Sequence, residues 1–120
     1  MDKKEFRQLF EYYRKALRLD YCDIKYSFED LEDIVWLATP QFSYVRWHIV
    51  FANNLLEDTT KEIKHTIVHE LLHMYTWFYK DDVLRLEMTE NEKTLFINSI
   101  RDKEESIIEN LTRILLHNWL

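Results

Sequence analysis

Five consecutive residues, His69-Glu70-Leu71-Leu72-His73, set two imidazoles four positions apart and a carboxylate beside the first. On a helix, positions i and i+4 lie one turn apart on one face. Two ring nitrogens held that way can reach a single tetrahedral metal ion. The carboxylate of Glu70 can then hold a metal-bound water and take its proton. Zn2+ lowers the pKa of such a water to about 7 and polarises a scissile carbonyl, so the base need not be strong. The donor set of His and carboxylate suits zinc best. The flanking Thr66, Ile67, Val68, Met74 and Tyr75 carry no charge.

A catalytic zinc site needs a third protein ligand and leaves one position open. Downstream, the stretch Glu104-Glu105-Ser106-Ile107-Ile108-Glu109 offers acids. Their competing reading is a solvated helix face, since Arg101, Asp102 and Lys103 lie just before them. Glu104 also falls on a partly apolar stripe with Ile100, Ile107 and Leu111, which keeps it open as a ligand. His117 is a further alternative. His65, one turn before His69, is expected to be solvated or satisfied in the core, and His48 sits on a strand. Tyr75 or Tyr79 can stabilise an oxyanion, but core packing is the plainer use of each.

The elements that must hold these groups follow from periodicity. Phe6, Leu9, Phe10, Tyr13 and Leu17 recur at helical spacing, which predicts an amphipathic helix over 3–18. Cys22, Ile24, Tyr26 and Phe28 alternate with polar residues, the period of a strand. Residues 34–38 form a short apolar run, read as a second strand and broken by Pro40. Val45, Trp47, Ile49 and Phe51 alternate again and predict a third. Thr59 and Glu62 have capping-box spacing, so the motif helix should run over about 60–79. Asp81 and Asp82 interrupt the pattern and 83–92 is ambiguous. A last helix is expected from about Lys93 to the C-terminus. The fold class is therefore α+β, one domain over 1–120, with a three-stranded, mainly antiparallel sheet.

The motif and the downstream glutamates resemble those of the zincin metallopeptidases. They are most similar to gluzincins of the smallest kind, the minigluzincin-like proteins of prokaryotes and phages. A metzincin would have Gly at position 76 and His at position 79, where this chain has Thr76 and Tyr79. The likeness implies a minimal zincin-like fold with a C-terminal glutamate helix, and a zinc-dependent peptidase acting on a peptide or protein. By resemblance His69, His73 and Glu105 would be the metal ligands, with Glu104 as the alternative third ligand. Glu70 would be catalytic, and Glu109 would accept a hydrogen bond from a ligand histidine. The resemblance also implies that an extended substrate adds to an edge strand, for which the third strand, Tyr44 to Phe51, is the candidate. Small members of the group can be latent, with their own chain or an oligomer filling the cleft. The apolar C-terminus from Leu115 to Leu120 could serve that way, so self-association is an expectation.

Composition narrows the alternatives. Glycine is absent from the 120 residues, which excludes glycine-rich phosphate loops, dinucleotide fingerprints and Gly-x-Ser-x-Gly elbows. The net charge of −6, with Lys and Arg scattered among acids, argues against a nucleic-acid partner and so against a zincin of the DNA–protein-crosslink-repair type. The single cysteine, Cys22, permits no internal disulfide. No apolar run reaches the length of a membrane span, so a cytoplasmic location without membrane contact is expected. The competing function is a non-catalytic or latent zinc-stabilised domain that acts as a binding module.

Overall fold

The computed structural model describes residues 1–30, 36–40, 46–84, 87 and 89–119. Helix α1 spans Lys3–Ala16, and its N-cap Asp2 accepts from the backbone N–H of Glu5. Phe6, Phe10 and Tyr13 are its buried face. The helix ends in a Schellman arrangement: Leu19 N–H reaches the Arg14 carbonyl and Arg18 N–H that of Lys15. The turn needs a left-handed residue, and in a chain without glycine that place falls to Arg18, at φ 61°. A side chain with a Cβ costs about 1–2 kcal/mol there. Full burial of Leu19 just beyond offsets that strain.

Three strands follow: β1 over Asp23–Glu29, β2 over Trp36–Pro40 and β3 over Arg46–Ala52. Their order in the sheet is β1-β3-β2. β3 pairs with β1 in parallel, from Asp23 opposite Arg46 to Glu29 opposite Ala52. It pairs with β2 antiparallel, from Trp36 opposite Phe51 to Pro40 opposite Trp47. This corrects the expected fold class, the mainly antiparallel sheet of a minimal zincin-like fold. The longer ladder is parallel, and helices of 14, 25 and 29 residues dominate strands of five to seven. The reason for the miss is physical. Alternation marks a half-buried strand but is the same for either direction of pairing. The expected substrate edge, Tyr44 to Phe51, is corrected with it, because β3 is the middle strand and its backbone is paired on both sides. Residues 34, 35, 44 and 45 of the expected strands lie outside the described residues.

A short 3-10 turn, Asn53–Glu57, buries Leu55 and leads to α2, Thr60–Leu84. Thr59 caps α2 by accepting from Glu62 N–H. The helix continues through Asp81 and Asp82, where an interruption was expected. Helix α3 spans Glu90–Asn118 and opens with a complete capping box between Thr89 and Glu92. The core joins Phe6 and Phe10 of α1 and Trp47, Ile49 and Phe51 of β3 to Ile63, Ile67, Leu71 and Met74 of α2. Phe6 packs edge-on against Tyr26, Phe28 and Phe51, which locks α1 to one face of the sheet. Helix α3 meets this core through a single i, i+4 stripe in which Glu104, Ile108 and Thr112 are its buried residues. Ile108 is 1% exposed, and its burial supplies about 1.5–3 kcal/mol. No described helix is long and apolar enough to cross a membrane.

Candidate metal centre

Helix α2 carries His65, His69 and His73 at successive turns, and their rings stand 6.3 Å and then 5.1 Å apart. The face of α3 that turns toward them presents Glu104, Glu105 and Glu109. The Ile108 stripe fixes the rotation of α3, since Glu104 and Glu105 lie one turn before it and Glu109 follows it. His69 Nε2 is 3.1 Å from Glu105 Oε2, and His73 Nε2 is 3.0 Å from Glu105 Oε1. One donor atom from each of His69, His73 and Glu105 lies within 4.8 Å of the others. The opposite ring nitrogens are also engaged. His69 Nδ1 is 3.1 Å from Glu109 Oε2, and His73 Nδ1 is 3.0 Å from Glu104 Oε1. Thr76 extends the second contact by donating its hydroxyl to Glu104 Oε1 at 2.7 Å. On the other side, His65 Nε2 stands 2.8 Å from Glu109 Oε1 and Arg113 reaches the same oxygen at 3.5 Å.

Glu70 differs from the other acids. It is 0% exposed, and neither carboxylate oxygen has a hydrogen-bond partner among the described residues. Its Oε1 stands 3.9 Å from His69 Nε2. Burial, with the charge of Glu105 adding to it, holds its carboxyl well above the usual 4.5. Burial likewise holds His73 below its usual 6.5, against the pull of Glu105 and Glu104 toward the charged form. Burial alone would raise Glu109. The hydrogen bond from His65 and the charges of His65, His69 and Arg113 outweigh it and bring that carboxyl below its usual value.

The donor set fits a divalent cation. Each of the two rings has both nitrogens against carboxylate oxygens. A neutral imidazole carries one proton, so without a cation each ring must be imidazolium or set a lone pair against a carboxylate. For His73 burial opposes the charged ring. A cation between the Nε2 atoms and Glu105 removes the conflict. His69 and His73 would hold it through Nε2, and Nδ1–H of each ring would donate to Glu109 and Glu104, the outer contacts that would fix tautomer and orientation.

The structure thus brings His69, Glu70, His73, Glu105 and Glu109 together. It sets Glu104 behind His73 rather than in the group around Glu105. His117 lines a cavity of about 800 Å³ at the far ends of α2 and α3, with His65 and Arg113, and stands apart from the Glu105 group. His48 pairs with Ser27 on the sheet at 2.8 Å. The Tyr75 hydroxyl donates to the Leu17 carbonyl, which ties α2 to the end of α1, while the Tyr79 side chain lies outside the described residues. Leu115 and Leu116 pack partly buried on the core and Trp119 is exposed. Leu120 is outside the described residues. Sequence reasoning missed Thr76 and underrated His65. The signal for His65 was present in its spacing, four residues before His69. No known protein family, curated protein or solved structure matches the chain.

Proposed function

We propose that the protein is a zinc-dependent peptidase whose metal ligands are His69, His73 and Glu105 and whose general base is Glu70. The observation that carries this reading is a fully buried carboxylate with no hydrogen-bond partner among the described residues, set beside two histidine Nε2 atoms that converge on a second carboxylate. Zinc held there supplies Lewis acidity: it polarises the scissile carbonyl and acidifies water. The remaining work belongs to the chain. Glu109 and Glu104 hold the Nδ1–H of the two rings and so keep Nε2 aimed inward. Thr76 holds Glu104 in turn. Glu70 takes the proton of the attacking water and returns it to the departing amine nitrogen. A carboxyl raised by burial accepts that proton more readily than a solvated one. An extended peptide would add to β2, the outer strand in contact with α2. The likeness to gluzincins enters this proposal at the level of these site residues. A cytoplasmic location accords with the single buried thiol, Cys22.

A second reading has an observation of its own. Contacts between histidines and glutamates join α2 to α3 from His65 to His73, as a metal-stabilised binding module would need. The two readings part at Glu70. The test is zinc content by elemental analysis, together with cleavage of a mixed peptide library, for wild type and Glu70→Gln. One zinc in each protein and cleavage by wild type alone is the expected result. Zinc in both with no cleavage by either selects the binding module. No zinc in either, even after zinc is added, overturns both.

A further inference from the structure

The ladder of histidines continues past the proposed catalytic centre. His65 Nε2 and His69 Nδ1 face the two oxygens of one carboxylate, Glu109, at 2.8 Å and 3.1 Å. One donor atom from each of these three residues lies within 4.8 Å of the others. The set is two imidazoles and a carboxylate, the same chemistry as the inner group, displaced one helical turn toward the start of α2. Both groups are partly open: the His65 side chain is 26% exposed against 13% for His73, and Glu109 is 34% exposed against 42% for Glu105.

We propose that His65, His69 and Glu109 form a second site for a divalent cation of the zinc class, exclusive with the inner one. The exclusivity follows from the proton count on one ring. Neutral His69 has a single lone pair. With the proton on Nδ1, held by Glu109, the lone pair is on Nε2 and serves the inner group. With the proton on Nε2, held by Glu105, it is on Nδ1 and serves the outer group. Filling both would require an imidazolate. Transfer inward therefore needs one proton to change nitrogen on His69, while Glu109 goes from metal ligand to acceptor of Nδ1–H. The outer site is the weaker, because the Arg113 guanidinium lies 3.5 Å from Glu109 Oε1 and must turn away from an arriving cation. Arg113 is largely exposed, so the screened repulsion lowers affinity by up to about fivefold.

The test removes the inner site while sparing His69. The double variant His73→Ala/Glu105→Ala is titrated with Co2+, followed by its visible absorption and by calorimetry, with circular dichroism reporting that the helices persist. One Co2+ per chain is expected, bound up to about fivefold more weakly than by wild type. Adding His65→Ala should abolish that binding. Wild type should stop at one metal, and His65→Ala alone should keep that stoichiometry. A folded double variant that binds no Co2+, or one whose binding survives His65→Ala, overturns the outer site. Should the double variant fail to fold, His73→Leu/Glu105→Gln, which keeps the volume of both side chains, supplies the same background and the same two outcomes. Two metals bound by wild type overturn the exclusivity. The peptidase reading does not enter the outcomes in the double variant, because His73 and Glu105, two of the three inner ligands, are absent from that background.

Discussion

Replacing Glu70 by Gln should stabilise the metal-free protein, against the usual result of changing a fully buried residue. The fold holds the Glu70 carboxyl well above 4.5, so the native state binds its proton more tightly than the unfolded chain does. The stability this group allows is complete below pH 4.5 and is lost as pH rises toward the folded pKa. Each pH unit between removes about 1.4 kcal/mol. Once the carboxyl would rather stay protonated than ionise in place, the penalty at pH 7 has a ceiling of about 3.4 kcal/mol. Gln has nearly the same shape and does not titrate. Its amide meets the same partnerless surroundings, so the polar-burial costs of the two side chains nearly cancel. At roughly 4 °C per kcal/mol for a domain of this size, the metal-free variant should melt up to about 14 °C higher at pH 7. The gain should shrink steadily as pH falls and vanish near 4.5. Zinc should also shrink it, because a nearby cation stabilises the carboxylate but does little for the amide. The assay is thermal unfolding of both proteins in chelator, followed by circular dichroism from pH 4.5 to 7, and repeated with zinc. A metal-free variant that melts no higher than wild type at pH 7, or a gain that does not depend on pH, would refute the reasoning.

Zinc at a hundredfold excess over its dissociation constant should stabilise wild type by about 2.7 kcal/mol; Glu105→Ala should lose most of that, as read from unfolding midpoints with and without chelator. Glu109→Gln should weaken zinc binding about 10–100-fold while leaving one site, measured by competition with a chromophoric chelator. Ile108→Ala should cost about 2–5 kcal/mol in denaturant unfolding, and in the surviving folded fraction it should also weaken zinc binding, since Ile108 sets the rotation of α3.

The parts of the site that were legible in the sequence are those with fixed local spacing. Thr59 and Glu62 start α2, and the i, i+4 rule alone puts His69 and His73 on one face. The encounter with α3 was harder to read. Glu104 and Glu105 are adjacent, so on a helix they point about 100° apart, and only the packing of Ile108 decides which lies nearer the two Nε2 atoms. The start of α3 was written in Thr89 and Glu92, yet the uneven hydrophobicity of 83–92 masked it. The direction of the strands was not legible at all. Neighbours in a sheet are chosen by contacts distant in sequence, and no local pattern in Cys22 to Phe28 or Val45 to Phe51 encodes them. The pairing of His65 with Glu109 was hidden for the same reason.

The place of β3 between a parallel and an antiparallel neighbour bears on how the chain is made. The β2–β3 ladder joins segments close in sequence, whereas the β1–β3 ladder must close a longer loop around β2 before it yields any stabilisation. The hairpin is therefore expected to form early and to wait for β1. During that wait the β1 side of β3 is an open edge beside Trp47, Ile49 and Phe51, able to accept the same segment from another chain. Crowded synthesis would favour that exchange, and its product would be a domain-swapped or aggregated species. Loss of the first thirty residues would make the exposure permanent. Yield on expression should then fall with concentration and temperature well before the α2–α3 seam is disturbed.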